Sequence, residues 1–369
     1  MRTWSIPAGR IFGIELRLHF TFPLLLLFIW AMEAQKLGTP AAWRSVALTV
    51  LLFASVLAHE LAHAMVATAN GLHVRSILLL PIGGTTNIED DVYRNPNPGR
   101  DMRIAAAGPL LNLLLAVFIG SFVFIFAPQV QLFHAPFLTA SNLPRSFVWG
   151  NFFLGAFNLL PAYPLDGGRV LRAWWAAGSN YAIATRRAVT VGQIIAIVLI
   201  IIGARWDTWL MLLGAMIFLG AQLEDRNAVF QNVLESIRMD EVMLTDFATL
   251  SPADTLEDAL HKAVHTLQED FPVIRGCDMV GTISRQRIVE TLRDSGNGYV
   301  QGAMNRIFQV AHRTESLASV LRRVGRSGLT LIPIVENERL IGIVTLQNLM
   351  HSIAMLAETR RLRHQDQQN

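Results

Sequence analysis

Two histidines and a glutamate lie within five residues, His59-Glu60-Leu61-Ala62-His63, and could together hold and use a zinc ion. On a helix, His59 and His63 share one face, where both imidazoles can reach the same tetrahedral Zn²⁺. Glu60 lies between them and can act as a general base toward a water molecule. The alternative is that the three side chains merely pair with one another, or that the pattern arose by chance. These three are the only ionisable residues in the apolar run from 45 to 69. Ionisable groups at bilayer depth are costly and usually functional, so we predict metallopeptidase chemistry inside a membrane.

A hydrolytic zinc site needs a third protein ligand, and Asp166 is the candidate for it. Pro161 and Pro164 end the preceding apolar run, while Gly167-Gly168 permits the tight backbone that could aim the carboxylate back into the helices. Asn158 could hydrogen-bond the freed backbone or a substrate carbonyl. Equally, Asp166 could simply cap a following helix that begins near Arg169.

The composition predicts a polytopic membrane protein with a soluble part attached. Of the 369 residues, 52% are hydrophobic and only 16% charged, against about 25% in ordinary soluble proteins. The net charge of +3 comes without a basic block, so we expect no nucleic-acid partner. Cys277 is the only cysteine, which excludes an intrachain disulfide and a thiolate-rich metal site. Any zinc must therefore be held by histidine and carboxylate.

Apolar runs predict about six transmembrane helices, and we expect the first to be a retained helix rather than a cleaved signal peptide. Arginines crowd the loops on the side of both termini, whereas the opposite side has only Lys36, Arg44, Arg145 and Arg205. The positive-inside rule then places both ends in the cytoplasm, and we expect a multi-pass protein of the cell membrane. The predicted spans are 18–34, 45–69, 104–128, 147–162, 187–204 and 207–223.

Between the second and third spans, Gly71 to Ile88 reads as two short strands, Val74 to Leu80 and Thr85 to Ile88, separated by Pro81 and the Gly83-Gly84 turn. Apolar strands next to a membrane indicate a small membrane-associated β element. Such backbone persists at depth only where protein or water satisfies its hydrogen bonds.

After residue 231 the composition becomes mixed and charged, and an internal repeat appears. Each copy reads helix, strand, strand, helix; Pro272-Val273-Ile274 matches Pro333-Ile334-Val335, and Gly281-Thr282-Ile283-Ser284 matches Gly342-Ile343-Val344-Thr345. The pattern resembles a tandem pair of CBS domains. We place the pair at 238–360, with repeats at 238–295 and 300–357, on the cytoplasmic side.

The CBS resemblance implies an adenine nucleotide effector or pairing of two chains as a homodimer. CBS pairs that bind nucleotides use the Ser or Thr after the second strand and an Asp three positions later. Here those later positions are Arg287 and Asn348, a departure that leaves ribose recognition open. A purely structural dimerisation module is the alternative.

The first 230 residues resemble the site-2 protease family of intramembrane zinc metalloproteases. That family combines an HExxH helix with a later N-x-x-P-x-x-x-x-D-G motif, which is met here by Asn158, Pro161, Asp166 and Gly167. The resemblance implies that His59, His63 and Asp166 bind one zinc and that Glu60 is the general base.

Two further features follow from the same resemblance. Ala107-Gly108-Pro109-Leu110-Leu111-Asn112 looks like the family's third-helix motif, which gives Asn112 a substrate or oxyanion contact, with helix packing by small residues as the alternative. The strand-like segment 71–88 could pair with an unwound substrate strand along its edge.

We therefore expect hydrolysis of peptide bonds in or near a transmembrane segment of a substrate within the lipid bilayer, in regulated intramembrane proteolysis. One alternative is a zinc transporter, or a metal- or nucleotide-sensing membrane protein without peptidase activity. A second is a catalytically silent scaffold. His261 and His265 also lie four residues apart, but Lys262 stands where a catalytic glutamate would be, so we interpret them as a solvated helix face.

Overall fold

The computed structural model describes residues 4–81, 83–88, 97–276, 278–324, 331–336, 339–345 and 349. The chain divides into two compact units, Met1–Val229 and Phe230–Asn369. The first unit is mainly helical and carries one four-stranded sheet, and the second contains two small sheets. Each unit is described by itself.

Three helices among the described residues are long and apolar enough to cross a membrane: α2, Thr39–Ala69; α3, Pro98–Phe126; and α6, Tyr181–Trp206. At 1.5 Å per residue each exceeds the roughly 30 Å of a hydrocarbon core. The predicted count of about six spans is not confirmed. The other helices that begin in the first unit are α1, Thr21–Leu37; α4, Leu143–Asn158; α5, Asp166–Ala176; and α7, Thr208–Ser236.

Asparagines begin three of these helices. The Oδ1 atoms of Asn97, Asn142 and Asn180 accept backbone N–H groups in the first turns of α3, α4 and α6, at 3.0, 3.2 and 2.9 Å. Each bond satisfies one of the donors that a helix leaves unpaired at its start. Proline follows the cap in α3 and α4, where the missing N–H is not needed.

The sheet of the first unit has the strand order β1 (Ser5–Ile11), β2 (Ile14–His19), β3 (Val74–Leu80) and β4 (Gly83–Ile88). The predicted strand 74–80 is confirmed, and the second predicted strand begins two residues earlier than expected. The β1–β2 hairpin was not predicted. Its two-residue turn, Phe12-Gly13, has φ values of 52° and 82°, as a type I′ turn requires. β2 then pairs with β3 in parallel, so the hairpin joins the segment that follows α2.

The second unit contains the predicted repeat. Each copy has a helix, an antiparallel strand pair and a core of its own. The final helix that the repeat predicts for the second copy lies outside the described residues apart from Leu349. The elements are α8, Met239–Val242; α9, Leu256–Val264; β5, Asp270–Arg275; β6, Asp278–Ser284; α10, Arg285–Ser295; α11, Val300–Ala303; β7, Ala311–His312; α12, Leu317–Val324; β8, Leu331–Glu336; and β9, Arg339–Thr345.

The two repeats exchange their leading segments. Leu244, at the start of the first copy, pairs with Ile343 of β9, and Asn305, at the start of the second, pairs with Thr282 of β6. A glycine beside each crossing makes room for it. A Cβ on Gly281 would lie 2.9 Å from the carbonyl oxygen of Asn305, and one on Gly342 would lie 3.1 Å from that of Leu244. Close packing of the crossing segment therefore explains why both repeat motifs have glycine at this position.

Candidate metal centre

Helix α2 brings the two histidines of the HExxH pattern together, as their spacing predicts. His59 and His63 are buried, and their rings meet edge to face with centroids 4.6 Å apart. The two Nε2 atoms are 3.0 Å apart. Because residues four apart lie one turn above each other, this proximity follows from the helix alone.

Asp166 joins the histidines from a site more than 100 residues later in the chain. Its Oδ2 lies 3.0 Å from Nε2 of His59 and 3.1 Å from Nε2 of His63. α5 begins at Asp166 itself rather than near Arg169, and Leu165 occupies the N-cap without a side-chain cap bond. The carboxylate therefore faces the imidazoles and does not serve as the N-cap residue of α5.

The turn before α5 explains this placement. A Cβ on Gly168 would lie 2.7 Å from the backbone nitrogen of Tyr163, and one on Gly167 would collide with the carbonyls of Leu159 and Leu160. The chain thus folds back tightly over residues 159–168, and only glycine fits there. The reversal aims Asp166 at α2.

The three side chains suit a divalent ion that prefers nitrogen and oxygen ligands. Nδ1 of His63 lies 2.7 Å from the carbonyl oxygen of Ile104, so that Nδ1–H donates and Nε2 presents its lone pair. One atom each from His59, His63 and Asp166 lies within 4.8 Å of the others. In a tetrahedral zinc site, ligand atoms at 2.0–2.1 Å from the ion are about 3.3 Å apart, which is close to the distances here. The donor set therefore fits zinc.

Helix α3 packs a glycine directly against both ligands. A Cβ on Gly108 would lie 2.7 Å from Nε2 of His59, and it would be closer still to Nε2 of His63. Small-residue packing, the alternative considered for the 107–112 motif, thus applies to Gly108. Asn112, one turn further, is fully buried, and neither its Oδ1 nor its Nδ2 has a hydrogen-bond partner among the described residues.

The three candidate ligands open onto a cavity of about 650 Å³. Its walls include the α2 ligands, Asp166, the start of β4 and the end of α4. Asn158 lines this cavity, but its Nδ2 donates to the carbonyl oxygen of Leu154 at 2.9 Å. Asn112 is not among the lining residues. The structure thus brings Asn158, unlike Asn112, to the wall of the cavity.

Glu60 contacts strand β4, which the sequence analysis did not connect with it. Oγ1 of Thr86 donates to Oε2 of Glu60 at 2.5 Å. A Cβ on Gly84 would lie 2.9 Å from Cδ of Glu60, so the strand backbone passes directly beside the carboxylate. The Gly83-Gly84 pair was read only as a turn, and no local signal relates Thr86 to a residue 26 positions earlier.

In the second unit, Ser284, one of the residues tied to nucleotide recognition, serves local structure. Oγ of Ser284 accepts the backbone N–H of Arg287 at 3.1 Å and thereby caps α10. Arg287 is exposed, and Asn348 and Cys277 lie outside the described residues. His261 and His265 are exposed on the C-terminal end of α9, as expected of a solvated face.

Two imidazoles and a carboxylate around one point, with a glutamate beside them and an apolar helix carrying most of the set, define a metallopeptidase of membrane type. Comparison with known families agrees. Residues 47–223 match the model of peptidase family M50, and residues 239–294 and 300–355 match the CBS domain. The chain thus carries a peptidase family M50 domain, of the site-2 protease type, and a tandem CBS pair.

Individual relatives extend over nearly the whole chain. Zinc metalloprotease MJ0392 of Methanocaldococcus jannaschii is 28% identical over 357 residues, which cover 96% of this chain and 97% of the relative. Rip3 of Mycobacterium tuberculosis is 29% identical over 388 residues, covering 97% and 94%. The solved site-2 protease from M. jannaschii is 30% identical, covers 60% of this chain and 96% of its own, and has a TM-score of 0.42. The zinc transporter or sensor considered from the sequence is not favoured by these findings.

Proposed function

We propose that this protein hydrolyses peptide bonds in or near the transmembrane segments of membrane-tethered substrates, in regulated intramembrane proteolysis. One observation carries the proposal: the ligand atoms of His59, His63 and Asp166 lie 3.0–3.1 Å apart, with most of the set on a helix apolar enough to span a bilayer. A site buried among such helices is reached by a substrate already in the membrane.

In this proposal, His59, His63 and Asp166 would hold one zinc ion, which when bound would supply Lewis-acid polarisation of the scissile carbonyl and of the attacking water. Glu60 accepts the proton of that water and later returns it to the leaving amine. Its place on α2, one residue from His59, keeps the carboxylate on the same side of the cavity throughout.

Asn158 and Asn112 are proposed to help stabilise the oxyanion or bind substrate. For Asn158 the support is its place in the cavity wall. For Asn112 it is a buried amide whose two polar atoms have no partner among the described residues, a costly arrangement unless a water or substrate group joins it. A substrate could reach Asn112 only after the residues that cover it move, because Asn112 is fully buried.

A helical substrate must unwind before cleavage, because its peptide bonds are engaged in i to i−4 hydrogen bonds. Strand β4 offers a place for the unwound segment. It ends the strand order of the described sheet, so its outer edge presents backbone groups for pairing, and its backbone passes beside Glu60. Helix-breaking residues in the substrate should therefore favour cleavage.

We further propose a topology and a regulator. The protease domain, 1–230, has about six spans with both termini in the cytoplasm, as the arginine distribution favours, and releases products on that side. The CBS pair, 238–360, regulates access to the site by binding an adenine nucleotide or by pairing as a homodimer. The match of both repeats to the CBS domain supports this role.

The test compares wild type with Glu60→Gln on a panel of single-span reporter substrates in liposomes, with zinc content measured in parallel. We expect wild type to cleave and to lose activity on chelation, and Glu60→Gln to keep its zinc and lose cleavage. Glu33→Gln is the matched control, because Glu33 lies on apolar α1 and is not among the residues that line the cavity. Zinc bound without any cleavage that depends on Glu60 would overturn the proposal.

A further inference from the structure

Among the described residues, the carboxylate of Glu60 accepts a hydrogen bond from a side chain of strand β4. The hydroxyl of Thr86 donates to Oε2 of Glu60 at 2.5 Å, and Oγ1 is also 3.4 Å from the backbone carbonyl oxygen of the same residue. The 2.5 Å distance is short for an O–H···O hydrogen bond. A threonine hydroxyl has one proton to donate, and here Thr86 donates it to the carboxylate of Glu60.

The sheet fixes where that hydroxyl lies. Thr86 is in register with Ile77 of β3, within an antiparallel pairing that extends from Val74 to Leu80. Successive strand residues face opposite sides, and Thr86 is half-buried whereas Thr85 and Asn87 are exposed. The position of Thr86 is therefore set by β3 rather than by Glu60.

A glutamate needs such a restraint for its proposed task. Its side chain has three rotatable bonds, yet the same carboxylate must receive a proton from water and then deliver it to the leaving amine. If Oε2 is fixed by a donor, Oε1 remains as the oxygen for both transfers. Gly84 contributes by letting the strand approach, since a Cβ there would collide with Cγ of Glu60.

We propose that Thr86 is a positioning residue for Glu60, and that its hydroxyl holds the carboxylate in the orientation used for proton transfer. The inference rests on the proposed peptidase function. It makes β4 more than a surface for substrate pairing, because the strand that would receive the substrate also orients the general base.

The first experiment removes the hydroxyl but keeps the shape. Thr86→Val should lower kcat by about 10- to 100-fold, the usual effect of losing a partner that orients an active-site group, while KM and zinc content stay at the wild-type values. Thr86→Ser keeps the donor and should recover most of kcat. Thr49→Val is the matched control, because it makes the same change at a half-buried residue of α2 that does not line the cavity and whose hydroxyl donates to the carbonyl oxygen of Ser45 in its own helix, and it should cleave as wild type does.

Each outcome decides the question. Wild-type kcat in Thr86→Val would overturn the positioning role while leaving the peptidase intact, and a higher kcat would show that the hydroxyl restrains Glu60 instead. A fall in kcat that serine does not recover would indicate packing alone.

A second measurement does not depend on cleavage. A thermal-stability cycle of Thr86→Val, Glu60→Ala and the double variant should be non-additive, because both single changes break the same bond. Additive effects would overturn the proposal even if no reporter substrate were cut.

Discussion

Replacing Gly108 by alanine should dismantle the metal centre with one methyl group. The added Cβ would lie 2.7 Å from Nε2 of His59, whereas ordinary van der Waals contact begins at 3.4 Å. The imidazole would have to withdraw by about 0.7 Å, several times the ±0.2 Å or so that metal-ligand distances tolerate. Nε2 of His63, which is closer still, must move as well. Two of the three proposed zinc ligands are therefore displaced together.

Gly108→Ala should also destabilise the protein, although replacing glycine by alanine inside a helix usually stabilises it. In a helix interior, alanine is favoured over glycine by about 1 kcal/mol, but overpacking a well-filled site costs about 1–3 kcal/mol. We expect Gly108→Ala to bind zinc at least ~10-fold more weakly and to lose cleavage in proportion. Zinc per chain would be measured by elemental analysis across a series of chelator buffers, together with reporter cleavage.

Gly120→Ala is the matched control on the same helix. There the nearest atom to the added Cβ is a terminal methyl of Val148 at 3.2 Å, which needs to yield by only a few tenths of an ångström. This variant should retain zinc and activity. A Gly108→Ala protein that binds zinc and cleaves as wild type does would refute the reasoning. It would show that the two imidazoles can move away from α3 without loss of zinc binding.

Two further predictions concern the CBS pair, both in the full chain. Arg285→Met should destabilise the first repeat by about 1.5–3 kcal/mol, because Nη2 of Arg285 donates to the carbonyls of Ala263, Thr266 and Gln268. The loss would be measured as faster amide exchange in α9 and β5. Arg287→Met, at an exposed neighbour, should leave both the stability and the exchange unchanged, and equal exchange in the two variants would contradict the prediction. Burial disfavours the charge of Asp254, but the Ser251 N–H and Lys262 outweigh it and lower the Asp254 pKa from 3.8. Its stabilisation is therefore present above pH 3.8 and lost as the pH falls through the lower folded value. Asp254→Asn should lower Tm at pH 7, and the difference from wild type should shrink progressively as the pH falls below 3.8. A pH-independent difference would count against the ion pair.

Local sequence patterns were sufficient to predict most of the helices and strands. The i, i+4 spacing placed His59 and His63 on one face because helix geometry alone decides it. The strands of the repeats were readable because alternation and turn residues are local signals. The β1–β2 hairpin was missed although Phe12-Gly13 marks a turn, because the long apolar run that follows it dominated the interpretation of the N-terminus.

What the sequence determined by itself was the set of residue types: two histidines and an aspartate suited to zinc, and a glutamate suited to a general base, at fixed spacing along α2 and at the start of α5. Only the tertiary structure decided how those groups are held. The turn over residues 159–168 aims Asp166 at α2, Gly108 leaves space for the imidazoles, and Thr86 of β4 contacts Glu60. The physical reason is that these contacts join residues 26 to 107 positions apart, and no periodicity within a single element encodes the packing of one element against another.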